Sequence, residues 1–215
     1  RQRQMCIRDS TLALLELFDE CDVKTTFFSL GIIYSWYPQL LDEIKSRGHE
    51  IAFHTHLHKK LNSRGLLEEE IRNAEKFIKE FNVKGFRAPE MYILPVELKV
   101  LSAAKFIYDS SIYGVSIPFY SSAGIWEIPV STYPIRKMTV SIPNPFFNSL
   151  RKGELPVGSG CILSTLSVRL IDKVITSINN LGFPYVAFIH PWQLSIRPKL
   201  HKAVVTGLPY IFRLS

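Results

Sequence analysis

The sequence predicts an α/β fold built on a parallel sheet or barrel. Apolar runs rich in β-branched and aromatic residues alternate with segments whose apolar residues recur at helical spacing. Each strand-plus-helix unit occupies about 25 to 35 residues, the usual length of a repeating β–α unit. At 215 residues, 47% of them hydrophobic, the chain is large enough to bury one sizeable core. A single domain is therefore expected.

The predicted elements follow one another in a regular order. Apolar residues recur every three or four positions in the helices, which are predicted over residues 11–21, 37–47, 66–81, 96–104 and 168–181. The strands are predicted over residues 23–30, 49–53, 83–89, 105–111 and 184–190. Residues 114–160 are rich in Pro, Gly and Ser around a strand, "GIWEIPVST", and are predicted to form a long decorated loop region.

The first ten residues, "RQRQMCIRDS", differ in character from the rest of the chain. Met5 to Ser10 resembles the peptide that one reading frame of a transposase-adapter sequence, used in DNA library preparation, would encode. We therefore expect residues 1–10 to be a non-native tail and residues 11–215 to be the domain, with the natural chain longer upstream. An ordinary mobile N-terminal tail is the alternative.

Composition excludes several classes of protein. The formal net charge is +7, but the basic residues are scattered along the chain and form no stripe or tail, so a nucleic-acid partner is not expected. The three cysteines form neither a close metal-binding pair nor an even disulfide framework. No apolar stretch approaches the ~20 residues of a transmembrane helix. The sequence does not fix the compartment.

The stretch "EIAFHTHLHKKL" places three of the chain's six histidines within five residues, directly after the apolar run of a predicted strand. A spacing of four residues brings two rings to one side of a helical turn, so His54 and His58 are candidates to share one metal ion. A solvated loop without a ligand is the simpler alternative. A third possibility is a strand that continues through the segment and aligns His54, His56 and His58 on one face.

Three further polar residues, Arg87, Asp109 and His190, follow predicted strands in the same way. In a parallel barrel the carboxyl ends of all strands open on one face, so these side chains are predicted to meet the histidine pair there. Each has a structural alternative: Arg87 as a surface residue, Asp109 as a turn or helix cap, and His190 as a core histidine. Together they favour an active site.

Five stretches resemble one family in their order and spacing: "TTFFSLG", "SRGHEIAFHTHLH", "GFRAPE", "YDSS" and "FIHPW". They are similar to the NodB-homology polysaccharide deacetylases, carbohydrate esterase family 4, and the resemblance covers Leu12 to Trp192. The details "YDSS", "WEIPVST" and "HPW" look most like the subfamily associated with bacterial exopolysaccharide loci. The resemblance implies an irregular (β/α)7 barrel, TIM-like. The family's first motif, near T-F-D-D, is not found, so we expect the first strand to be missing.

The resemblance also implies roles for individual residues. His54 and His58 match the two histidines that bind a divalent ion, most often zinc, whereas His56 falls on a variable position. The other matches are Arg87, which holds the catalytic aspartate, His190 as the general acid, Thr55 as a hydrogen-bonding brace of the loop, Pro89, which shapes its loop, and Glu90, whose backbone N–H completes the oxyanion site. To these we add Asp109, a candidate to hold the His190 ring and raise its pKa, and Trp126 and Trp192, candidates for a sugar-stacking wall.

The resemblance implies a metal-dependent deacetylase that hydrolyses N-acetyl groups of an N-acetylhexosamine-containing polysaccharide, so the expected partner is a carbohydrate. The catalytic base and a third metal ligand should come from the absent first motif, and we expect this chain alone to be a poor enzyme. "LFDE" does not replace that motif, because Asp19 and Glu20 are predicted to be surface charges at a helix end. The alternatives are an amidohydrolase on a small amide or ureide, and a non-catalytic carbohydrate- or metal-binding barrel.

Overall fold

A computed structural model describes residues 2–134, 153–191 and 193, with side chains from residue 7 onward. The helices are α1 (Gln2–Glu20), α2 (Gly31–Trp36), α3 (Pro38–Ser46), α4 (Leu66–Asn73), α5 (Glu75–Glu80), α6 (Pro95–Ala103), α7 (Gly160–Leu163) and α8 (Val168–Asn180), with one 3₁₀ turn at Pro89–Met91. The strands are β1 (Thr26–Ser29), β2 (Glu50–Phe53), β3 (Gly85–Phe86), β4 (Tyr108–Asp109), β5 (Tyr113–Gly114), β6 (Phe119–Tyr120), β7 (Trp126–Glu127), β8 (Val130–Ser131), β9 (Tyr133–Pro134) and β10 (Glu154–Leu155).

The main sheet has six strands in the order β1-β2-β3-β4-β7-β6. The first five are parallel, and β6 runs antiparallel to β7. Two small sheets pair β5 with β8 and β9 with β10. Helices α2 to α6 lie in the crossovers between β1 and β4, as a parallel sheet requires. The α/β fold predicted from the alternation is therefore present.

Several helix boundaries differ from the predicted ones for local reasons. The predicted helix over residues 66–81 is divided at Ala74, whose ψ of 9° lies outside the helical range. Helix α3 begins at Pro38, where the missing N–H costs no hydrogen bond. Helix α1 begins at Gln2 rather than at residue 11, so the adapter-like residues continue its helical backbone. Asp19 and Glu20 lie at the exposed end of α1, as predicted, and Asp19 pairs with Arg47.

The core forms where α1 to α6 pack against β2 and β3. Its centre is a group of phenylalanine rings, in which Phe53 lies 5.8 Å from Phe86 and 6.0 Å from Phe106 between ring centroids. Burying one such side chain stabilises a fold by about 1.5 to 3 kcal/mol, so this cluster fixes the position of the strands that carry the site. Among the described helices none is long and apolar enough to cross a membrane.

The predicted strand over residues 184–190 is not regular. Its one described ladder contact is an isolated parallel bridge between Phe188 and Ser159, although Val186 also hydrogen-bonds Ser131. In the described part of the chain the main sheet is open, with β1 and β6 at its edges. A closed (β/α)7 barrel therefore stays a prediction.

Candidate active site

Two loops at the carboxyl ends of neighbouring parallel strands form the candidate site. The first, the histidine loop (residues 54–58), follows β2, and the second, the arginine loop (residues 87–91), follows β3. Of the seven described non-glycine residues with positive φ, four lie in these loops: Thr55, His58, Glu90 and Met91. Such backbone costs free energy and persists where surrounding contacts enforce it, which is typical of functional sites.

His54 and His58 come together in the histidine loop. Their ring centroids are 4.9 Å apart and their planes are inclined by 70°. Nδ1 of His54 is 2.7 Å from the carbonyl oxygen of Arg87, so that nitrogen donates and Nε2 is the one left to bind a metal. Burial, followed by the neighbouring charge of His58, lowers the pKa of His54 to about 3. The ring is therefore neutral, the form in which imidazole ligates a metal.

His56 faces a different part of the molecule. Its Nδ1 lies against helix α2, where a Cβ added to Gly31 would be only 2.7 Å away from it. The loop is not a strand, so the alternative in which three histidines share one strand face is not formed. Thr55 is fully buried, and its hydroxyl has no hydrogen-bond partner among the described residues. The expected bracing instead comes from its carbonyl oxygen, which accepts from the Gly31 N–H at 3.0 Å.

Glu70 anchors the histidine loop, and sequence reasoning missed it. The carboxylate is fully buried on α4, and its Oε2 accepts the backbone N–H groups of His56 at 2.7 Å and Leu57 at 2.8 Å. A signal was present in the sequence. Glu70 falls on the apolar stripe of its helix, between Leu67 and Ala74, where an unpaired carboxylate would be costly.

Arg87 is buried, which rules out the surface alternative. Its Nε donates to the Ser110 carbonyl at 2.8 Å and its Nη2 to the Ser110 hydroxyl at 2.7 Å. The guanidinium also lies 4.2 Å from the ring centroid of Phe28 and 5.2 Å from that of Phe188. Burial lowers the pKa of Arg87 to about 10, which leaves the group charged at neutral pH.

Pro89 and Glu90 form the turn of the arginine loop. Pro89 is buried and starts the 3₁₀ turn, and Glu90 has a left-handed φ of 56°. The Glu90 carboxylate pairs with Lys60 at 2.7 Å and is exposed to solvent, whereas the Glu90 backbone forms part of the turn. The N–H of Ala88 donates to the hydroxyl of Ser111 at 2.7 Å, which ties this loop to the segment after β4.

Asp109 does not have the predicted surroundings. Its carboxylate accepts from the Ser111 N–H at 2.9 Å and from the Ser111 hydroxyl at 2.5 Å, and it lies beside Glu127 on the adjacent strand. The physical reason is strand alternation: Ser110 projects toward Arg87, so Asp109 projects to the opposite face of the sheet. The expectation that Asp109 holds the His190 ring is corrected accordingly.

His190 lies within electrostatic range of the histidine pair. Its ring is in edge contact with that of Phe188, with 5.8 Å between the centroids. A charge on His190 lowers the pKa of His54, and a charge on His58 lowers the pKa of His190. The side chain is exposed to solvent on one side, yet surrounding protein desolvates it enough to lower its pKa. The predicted rise of the His190 pKa is therefore wrong in direction.

The two predicted stacking residues are placed differently. Trp126 is partly exposed on β7, where its ring meets Tyr120 at 5.5 Å, and its described contacts do not include the histidine loop. Trp192 lies outside the described residues. A sugar-stacking wall at Trp126 and Trp192 stays a prediction.

The donor set fits a metal ion in part. His54 and His58 supply two neighbouring imidazoles, one oriented by a backbone carbonyl as is usual for zinc ligands. Within residues 2–134, 153–191 and 193, no group of three His, Cys, Asp or Glu side chains is placed to hold an ion. The described residues therefore offer two ligands of the three that catalytic zinc sites use.

Comparison with a family model identifies the same part of the chain. Residues 5–105 match the model described as Polysaccharide deacetylase. The match spans slightly less than half of the chain and contains the histidine and arginine loops, whereas Asp109 and His190 lie beyond it. No curated protein sequence matches the chain.

Three solved structures resemble the fold of this chain over most of its length. A candidate polysaccharide deacetylase from Mycobacterium smegmatis has a TM-score of 0.65 at 22% identity, covering 91% of this chain and 68% of that one. A candidate polysaccharide deacetylase from Pseudomonas aeruginosa PAO1 has 0.63 at 17% identity, covering 94% and 66%. Puue allantoinase has 0.62 at 16%, covering 94% and 65%. The chain thus spans about two thirds of these proteins' length.

Proposed function

We propose that this protein is a metal-dependent deacetylase that removes N-acetyl groups from an N-acetylhexosamine-containing polysaccharide, such as a bacterial exopolysaccharide. The observation that carries the proposal is the pairing of His54 with His58, with His54 oriented by the carbonyl of Arg87. The family match over residues 5–105 supports the reaction class. The likeness to solved structures supports the fold on which the site is built.

The chemistry divides between an ion and the protein's own groups. A divalent ion such as zinc, when bound, polarises the acetamide carbonyl and lowers the pKa of a water molecule toward ~7. His54 and His58 would hold the ion. The backbone N–H of Glu90, held in its left-handed turn, would donate to the developing oxyanion. His190, whose pKa is lowered in part by the charge of His58, would in its protonated form donate a proton to the departing sugar amine.

Arg87 supports the idea that a carboxylate completes the site. A buried guanidinium is unfavourable without a carboxylate in direct contact, and among the described residues Arg87 forms no ion pair, because the charge of Asp109 acts on it only from a longer distance. We propose that the natural protein supplies an aspartate there, as base and third ligand, on a strand beside β1. The edge position of β1, all four residues of which are only half-buried, supports such a neighbour.

The direct test is an assay for deacetylation of an N-acetylglucosamine oligomer in the presence of added zinc, in which the released acetate is measured. The 215-residue chain is expected to turn over slowly, and a chain extended by its natural upstream strand at least roughly 10³-fold faster, because the base is then present. Full activity in the 215-residue chain would contradict the proposed division of roles. No activity in the extended chain would favour a carbohydrate- or metal-binding function.

A small-molecule amidohydrolase is the second candidate. The likeness to Puue allantoinase covers 94% of the chain, but at 16% identity it supports the fold and not the substrate. The same assay distinguishes the two if a cyclic ureide is offered beside the sugar oligomer. Turnover of the ureide alone would replace the proposed substrate.

A further inference from the structure

A row of side chains crosses the main sheet on the face opposite Arg87. Phe53, Phe86, Asp109 and Glu127 are register partners on the parallel strands β2, β3, β4 and β7. Register partners project to the same face, and the first two members lie in the hydrophobic core. The row therefore continues from two aromatic rings into two carboxyl groups.

The two carboxyl groups are deeply buried side by side. Asp109 is 0% exposed and Glu127 is 2% exposed. Neither oxygen of Glu127 has a hydrogen-bond donor in the described part of the chain. Two ionised carboxylates accept hydrogen bonds but donate none, so they would repel each other here without compensation. A proton held between them removes the repulsion and supplies the missing bond.

Asp109 is the acceptor that connects this pair to the rest of the network. Its two oxygens accept from the N–H and the hydroxyl of Ser111, at 2.9 Å and 2.5 Å. The Ser111 oxygen in turn accepts from the Ala88 N–H at 2.7 Å. This chain of contacts runs through the sheet to the arginine loop, which carries Arg87 and Glu90.

We infer that Glu127 is a positioning residue: in its protonated form it donates to Asp109, which through Ser111 and Ala88 holds the arginine loop in place. The value of that loop for catalysis rests on the proposed function, whereas the network itself does not. Stability and hydrogen exchange are therefore the suitable measurements, since both stay interpretable if no substrate is turned over.

The electrostatic surroundings agree with this assignment. Burial, followed by the charge of Asp109, raises the pKa of Glu127 to about 9. Burial also raises the pKa of Asp109, to about 6, while Ser111, Glu127 and the charge of Arg87 act in the lowering direction. Among the described residues, the charge of Arg87 acts on the pKa of Asp109 from outside the Asp109–Glu127 pair. The charge that acts on the pKa of Glu127 is that of Asp109.

The sign of the pH effect is set by the raised pKa of Glu127. The folded state binds a proton that the unfolded chain has released above about pH 4.5, so its stabilising effect is complete below that pH and is lost as pH rises through about 9. Glu127→Gln keeps a donor to Asp109 at every pH. Glu127→Leu removes the donor at every pH.

The experiment compares thermal midpoints of the full chain and its variants from about pH 6 to about pH 9.5. The midpoint of the unchanged protein is expected to fall by about 5 °C more than that of Glu127→Gln over this range. Glu154→Gln, a same-size change at another buried glutamate, is the matched control for the loss of a buried carboxyl group as such. Identical profiles for the unchanged protein and Glu127→Gln would overturn the inference.

Hydrogen exchange tests the connection to the arginine loop. In Glu127→Leu at about pH 7, the Ala88 amide should exchange at least roughly tenfold faster, measured relative to a peptide from α4 as internal reference. Glu127→Gln should keep the original protection. Equal protection in Glu127→Leu and the unchanged protein, or equal loss in both variants, would show that Glu127 only fills space.

Discussion

Arg87 is a buried charged residue whose burial lowers stability, which suggests that it is retained for function. Two hydrogen bonds to Ser110 and two aromatic rings hold its guanidinium in a buried position. Desolvation of that charge costs free energy which no described ion pair offsets. This cost agrees with the proposed role of Arg87, in which its guanidinium binds a carboxylate of the active site.

When Arg87 is replaced, the change in the free energy of unfolding should therefore depend on the charge of the new side chain rather than on its size. Arg87→Met removes the charge and keeps the volume, so the free energy of unfolding should change by no more than about 1 kcal/mol. Arg87→Lys keeps a buried charge but cannot form both bonds to Ser110, so it should cost about 2 kcal/mol. Urea unfolding of the two variants measures this. A methionine variant less stable than the lysine variant would contradict the account.

At this scale the sequence indicated residue types better than their surroundings. His54, His58 and Arg87 were predictable because strand ends concentrate at one edge of a parallel sheet. The partner of Asp109 was not, because which face a residue takes depends on a register that a two-residue strand does not reveal. The pKa of His190 depends on protein packed around it from elsewhere in the chain, which no local pattern encodes.

At the scale of elements, helix α4 holds the histidine loop in place through the side chain of Glu70. Glu70 reaches from the buried face of the helix to two consecutive backbone N–H groups of the loop, and Lys59 lies 3.4 Å from its other oxygen. The conformation of the loop includes left-handed Thr55 and His58, so it needs such support. The anchor makes the geometry of the histidine pair depend on the packing of α4.

Glu70→Ala should therefore weaken both the fold and the loop. Two hydrogen bonds to a charged group are lost and two N–H groups are left without their acceptor, so the expected cost is about 2 to 4 kcal/mol. The neighbouring Glu69→Ala is the control, since Glu69 is half-exposed and makes a surface pair with Lys59, for which the change should stay within about 0.5 kcal/mol. Denaturant unfolding checks both, and similar values for the two variants would argue against the anchor.

The order of elements followed from the sequence more reliably than their lengths. Alternating apolar patterns predicted the succession of β1, α3, β2, α4, β3, α6, β4 and α8. The structure shortens several strands to two residues, because ladder hydrogen bonds end where the loops of the site begin. The division of the helix at Ala74 also left no sequence signal, since alanine favours helices.

At the scale of the whole molecule, the site lies where an α/β sheet is expected to place one. The histidine and arginine loops follow adjacent parallel strands, and the row from Phe53 to Glu127 supports them from the opposite face. The family match covers both loops. Both loops therefore lie in the part of the chain that resembles the family, and the central claim of the proposed function is that His54 and His58 share one metal ion.

Calorimetric titration of the full chain with zinc tests that claim most directly, because it reads metal binding without requiring turnover. His54→Ala and His58→Ala should each weaken binding by more than roughly 100-fold, since a ligand is lost. His56→Ala, a matched change in the same loop whose ring faces Gly31, should leave the affinity within roughly threefold of the original. Loss of binding in His56→Ala, or undiminished binding in His58→Ala, would contradict the account.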